Sequence, residues 1–223
     1  MADQVRAIRT RQTILSAAAK VFEDHGYQAA TISQILTEAG VTKGALYFHF
    51  QSKDDLAQGV LAEQDLRLVP PARTSKVQEL VDVAMLHAHR LETDPMVRAG
   101  VRLTLDQQAH GLDRSGPFVR WSEALQHLLQ QAREQGALLP HVVPAETADV
   151  IVGSFAGIQQ MSQAICDYRD LSSRVSALMR HLLPSVVVPS VLASLDLSDG
   201  RGATVYVEAL KAVDELELSS SVG

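Results

Sequence analysis

A single cysteine, Cys166, stands in 223 residues. That excludes an internal disulfide framework and any paired-cysteine metal site, and it points to a reducing, cytoplasmic setting. Aromatic residues are scarce at 4%, with one tryptophan, Trp121, so the core has to be largely aliphatic. No apolar run approaches the ~20 residues of a bilayer-spanning helix. The polar stretch 1–13 lacks the apolar block of a secretory signal. Strand-like sequence is nearly absent: only Val186-Val187-Val188-Pro189 has that composition, and a lone strand without a partner reads as a buried connection or a short helix. No GxSxG elbow, HExxH pair or glycine-rich phosphate loop occurs. His87 and His89 are two apart on a helix and point away from each other, which argues against a shared metal. Cys166 leads into the surface-like turn Asp167-Tyr168-Arg169-Asp170, a poor setting for a nucleophile. Neither an enzyme nor a bound metal or cofactor is expected.

What is present is helical periodicity. Ile14, Leu15, Ala18, Val21 and Phe22 share one helical face that ends near His25-Gly26. Thr31-Ile32-Ser33-Gln34 has the form of a capping box, followed by the stripe Ile32, Ile35, Leu36, Ala39 and a break at Gly40. Thr42 then caps a very short helix, 43–49, and Ser52-Lys53-Asp54-Asp55 opens a fourth with acidic residues in its first turn. Pro70-Pro71 ends that fourth helix and marks a boundary between head and body. Further helices are expected at 75–91, 95–108, 117–134, 145–165, 171–182 and 202–217. The fold class is therefore all-α. A three-helix head over 1–53 precedes a helical body over 54–218 and a disordered tail over 219–223. The net charge of −6 divides into +2 on residues 1–53 and −8 on the rest.

Two short helices joined by a tight glycine-containing turn form a helix-turn-helix. Packing of Ile32, Ile35, Leu36, Ala39, Val41 and Leu46 against the first helix leaves the start of the 43–49 helix projecting, in a shape that fits the DNA major groove. Lys43 can donate to guanine O6 and N7, and Gly44 lets the backbone approach closely. Thr42 can touch a thymine methyl or a phosphate. Tyr47, His49 and Lys53 are placed to grip phosphates, which fix register without reading sequence. Thr31 and Ser33 can donate to phosphate at the preceding helix start. Ala45 and Phe48 complete the set on the short helix.

The run Gly40-Val41-Thr42-Lys43-Gly44-Ala45-Leu46-Tyr47-Phe48-His49-Phe50, followed by Ser52-Lys53-Asp54-Asp55-Leu56, closely resembles the head of TetR-family repressors. Arg9-Thr10-Arg11, the stretch Gly59 to Gln64, Asp94-Pro95 with Arg98-Ala99-Gly100, Pro117-Phe118 with Trp121, and Val152 to Gly157 with Ser162 resemble the γ-butyrolactone-type autoregulator receptors of actinomycetes. The resemblance implies a homodimeric repressor of antibiotic-production genes. It would bind a palindromic operator and be released by a butanolide or butenolide.

On its own residues Trp121 reads as core sooner than as a ligand contact; the resemblance reverses this and places it over the lactone ring. Gln64, otherwise an exposed amide, can by the same resemblance reach the ligand. Met85, Leu103, Val119, Phe155 and Ile158 are equally good pocket wall and core. Ala156 stands where the resemblance expects a threonine; Ser154, Gln159 and Ser162 can supply a substitute polar group. That departure leaves open a repressor sensing another molecule, such as an antibiotic or a fatty-acid-like compound, or a ligand-independent relative. The resemblance implies a dimer surface on the 145–165 and 202–217 helices. The stripe Val150, Ile151, Phe155, Ile158 is compatible with it, although burial in the core explains that stripe equally well.

Overall fold

The computed structural model describes residues 2–66, 70–105 and 115–220. The described chain is helical, as expected: α1 (Ala2–Ala29), α2 (Ile32–Ala39), α3 (Lys43–His49), α4 (Lys53–Leu66), α5 (Lys76–Thr93), α6 (Pro95–Leu105), α7 (Ser115–Glu134), α8 (Pro144–Cys166), α9 (Leu171–Leu182), α10 (Pro189–Leu192) and α11 (Arg201–Ser220). The expected extension of α6 through residues 106–108 lies outside the described residues. The last helix runs to Ser220, so residues 219 and 220 are helical where a disordered tail was expected; residues 221–223 lie outside the described residues.

The chain divides into two compact units, one of residues 1–67 and 94–117, the other of residues 68–93 and 118–223. The first is larger than the 1–53 head, because α4 and α6 pack against α1. Its core joins Ile14, Leu15, Ala18, Val21 and Phe22 of α1 to Ile35, Leu46, Phe50, Leu56 and Val60, with Ala99 and Leu103 added by α6. Three cations hold the C-terminal part of α1, where exposed carbonyls and the helix dipole favour positive charge. Lys53 donates to the carbonyls of Tyr27, Gln28 and Ala30 at 2.9, 3.3 and 3.1 Å. Arg102 of α6 donates to the Glu23 carbonyl, and Arg98 pairs with the Glu23 carboxylate. α1 does not stop at Gly26: it kinks there (φ 74°) and continues for another turn.

In the second unit α5 packs on α9 and α11, and α8 packs on α9. Gly202 lets α11 approach the Met85 carbonyl so closely that a β-carbon would collide with it. Beside this crossing, fully buried Asp82 is satisfied from three sides. Arg201 reaches its two oxygens at 2.8 and 2.7 Å, Arg73 donates at 2.7 Å and Gln78 at 2.8 Å. These donors hold the carboxyl below its ordinary value although burial opposes them. The valine run that reads as a lone strand does find a partner. Val187 forms an antiparallel bridge with Leu138, with Leu139 donating to Val186 and Val188 to the Ala137 carbonyl. The sequence signal missed it because 49 residues separate Leu138 from Val187. No helix among the described residues is long and apolar enough to cross a membrane.

Candidate nucleic-acid interface and ligand site

The helix-turn-helix is built by local hydrogen bonds. The Thr31 hydroxyl accepts from the Gln34 amide at 3.3 Å while the Thr31 amide donates to Gln34 Oε1 at 2.9 Å, the reciprocal capping box. Gly40 ends α2 in the left-handed region at φ 63°, where a side chain would be strained. Thr42 caps α3 by accepting from the Ala45 amide at 3.3 Å. Ile35 and Leu46 are buried, and Ile32, Leu36, Ala39 and Val41 pack partly buried against the same core.

That packing decides which side chains are presented. Thr31, Ser33, Thr42, Lys43, Gly44, Tyr47 and Phe48 are exposed, whereas Ala45 and His49 are half-buried. Phe48 is 79% exposed, an unusual position for a phenylalanine, and its ring meets His49 edge-on at 4.9 Å. The Lys43 ammonium lies 5.8 Å from the Tyr47 ring centroid, so the aromatic ring can steady the cation at the surface. Lys53 is placed differently from the others. Its ammonium is engaged with three carbonyls at the end of α1 and sits 4.5 Å from the Tyr27 ring centroid, so a phosphate contact would cost it those bonds.

The residues singled out for a ligand are dispersed. Leu103 is buried in the core of the first unit. Gln64 lies on α4, and its side chain is outside the described residues. Met85 is buried on α5, Val119 is exposed on α7, and Ile158 is half-buried on α8. The buried Ser162 hydroxyl donates to Asp170 at 2.6 Å. Asp170 is held below the ordinary carboxylate range by Arg174 first and Ser162 second. Gln159, only 5% exposed, follows Phe155 by one helical turn, and its amide makes no hydrogen bond among the described residues.

Trp121 and Phe155 are brought together by His87, whose spacing from His89 argues only against a shared metal. His87 of α5 lies 4.8 Å from the Trp121 ring and 5.4 Å from the Phe155 ring, centroid to centroid. Burial, aided by the Arg90 charge one turn on, pushes the imidazole from 6.5 down to about 3, so it is neutral at physiological pH. The only signal in the sequence is a histidine one helical turn from Val83 and Leu91, which many core histidines share. Among the described residues no group of three histidine, cysteine or acidic side chains could hold a metal ion.

Four similarities to known proteins bear on this architecture. Residues 14–60 match the family described as bacterial regulatory proteins, tetR family. The chain is 41% identical to the A-factor receptor protein of Streptomyces griseus over 197 residues, covering 87% of this chain and 70% of that one. The crystal structure of TylP, a TetR regulator from Streptomyces fradiae, superposes with a TM-score of 0.81 at 45% identity, covering 94% of this chain and 93% of that one. A γ-butyrolactone receptor described as ArpA-like superposes with a TM-score of 0.65 at 28% identity, covering 95% and 99%. The chain belongs to the TetR family of bacterial regulatory proteins and, within it, is similar to the A-factor and γ-butyrolactone receptors.

Proposed function

We propose that this regulator represses transcription by binding a palindromic operator as a homodimer, and that a γ-butyrolactone-type signal held in the second unit releases it. The observation that carries the reading is the face of α3. Its apolar side chain Leu46 is spent on the core, while Thr42, Lys43, Gly44, Tyr47 and Phe48 stand exposed on one short helix. Lys43 is the candidate base reader; Thr31, Ser33, Thr42, Tyr47 and His49 are candidate backbone contacts, and Ala45 and Phe48 lie between them. Lys53 acts on the phosphate contacts through α1, whose end it holds.

One α3 helix reads too few base pairs for useful specificity, and a dyad doubles the site. Support for the dyad comes from apolar side chains left exposed on α8 and α11. On α8 these are Val150, Met161 and Ile165, the last 64% exposed, in a row with exposed Gly153 and Gly157; on α11 they are Val207, Leu210 and Val213. Ile151 is not part of this row, being buried in its own unit. Glycines on such a face allow two helices to approach closely.

The ring cluster of Trp121 and Phe155, with the polar edge of His87 set against it, supports a ligand that is largely apolar and carries a few polar atoms. Induction is then a population shift. Moving the chain from 1:99 to 99:1 between operator-competent and released states needs about 5.5 kcal/mol of differential ligand affinity. The test is a mobility shift on the gene's own upstream DNA with a γ-butyrolactone titrated in. Release by the lactone in wild type but not in Trp121→Ala, with DNA binding intact in both, supports the reading. Equal release of both would remove Trp121 from the site. Release by antibiotics or fatty acids but not by lactones would make the chain a sensor of another molecule.

A further inference from the structure

Operator reading and dimer formation make no use of His87. α5 turns Leu80, Val81, Ala84, Met85, Ala88 and Leu91 into the core of the second unit, and His87 departs from that face. Its ring is set against Trp121 of α7 and Phe155 of α8. Close backbone packing in this unit joins α5 to α9 and α11, and α8 to α9; α5 meets α7 and α8 through these long side chains. His87 is half-buried, and leucine or phenylalanine would make the same apolar contacts without its polar edge. What histidine adds is one N–H donor and one nitrogen acceptor, and among the described residues neither is hydrogen-bonded.

We propose that His87 is the specificity-determining residue of this site, donating a ring N–H to the carbonyl oxygen of an uncharged ligand whose flat ring lies against Trp121. This rests on the reading of the second unit as the ligand-binding one. The imidazole stays neutral because burial and Arg90 both oppose its charge, so it recognises the ligand by hydrogen bonding and not by ion pairing. A ligand cation is disfavoured by the same Arg90 charge. A ring ester fits: the apolar ring meets the aromatic faces and the carbonyl meets the donor.

Trp121 is the sole tryptophan, so the intrinsic fluorescence of the full chain reports on this site. Two probes are compared, a γ-butyrolactone carrying a long alkyl chain and the tetrahydrofuran with the same chain but no carbonyl. Wild type should prefer the lactone by about tenfold, the worth of one well-placed hydrogen bond. His87→Phe keeps the ring contacts and should bind both probes alike, and His87→Gln, which restores a donor, should recover most of the preference. If His87→Phe loses its helical signal, His87→Leu takes its place. A lactone preference that persists in these variants overturns the role of His87 while leaving the site in place. Failure of both probes to change wild-type fluorescence overturns the ligand reading and the role of His87 with it.

Discussion

The two units of this chain carry their chemistry in opposite ways. In the first, the presented side chains lie within twenty residues of one another, from Thr31 to Phe48, and the bonds that shape them are local: Thr31 to Gln34, Thr42 to Ala45. In the second, the ring cluster joins residues 87, 121 and 155 from three helices, and an ion-pair network around buried Asp82 joins it to residues 73, 201 and 208. A reading head of this kind can be transplanted between regulators as one segment. A cluster assembled from distant residues can be altered by one substitution on any of three helices. The difference separates a surface built by local bonds, the proposed DNA-reading face, from a cluster built by packing of distant helices, the proposed ligand site.

The comparison can be broken from the second unit first. Asp82→Ala removes the buried carboxylate between Arg73 and Arg201, leaving Arg73 paired with Glu208 alone and Arg201 with Asp196 at 3.7 Å. A loss of about 3–5 kcal/mol in stability is expected, read by denaturant unfolding. Lys53→Met deletes three bonds at the end of α1 and should cost about 1.5–3 kcal/mol. A normal unfolding midpoint together with weakened DNA binding would instead make Lys53 a direct DNA contact. Lys43→Ala should cost about 1–3 kcal/mol in operator binding and much less on random DNA; equal losses on both would reduce Lys43 to a phosphate contact.

The pH dependence sharpens the contrast further. His87 sits at about 3 in the folded chain against an ordinary 6.5, so between those values the unfolded chain binds a proton that the folded one refuses. Stability should therefore fall as pH drops from 6.5 toward 3, and His87→Phe should remove that part of the slope. The smallest effect is expected at Phe48. It is 79% exposed, so Phe48→Ala should alter stability by no more than about 0.5 kcal/mol while weakening DNA binding, measured on the same sample.

Helix positions and the reading head were legible because caps, glycine breaks and apolar stripes act over three to seven residues. The Thr31 capping box and the Gly40 turn are written in adjacent letters, and the structure has both. Three things were not legible for the same physical reason. The Leu138–Val187 bridge, the gathering of α4 and α6 into the first unit, and the meeting of His87 with Trp121 all depend on distant segments packing together. Lys53 shows a subtler limit. Its place in the motif suggested phosphate, but its reach takes it back to carbonyls more than twenty residues earlier.

The most direct test of the central claim measures wild type and Lys43→Ala side by side on the gene's own upstream DNA and on random DNA of equal length, with and without a γ-butyrolactone. Wild type should bind the upstream fragment far more tightly than random DNA and let go when the lactone is added, and Lys43→Ala should lose most of that preference. Equal binding of both DNAs by wild type, unchanged by Lys43→Ala and by the lactone, would contradict the account.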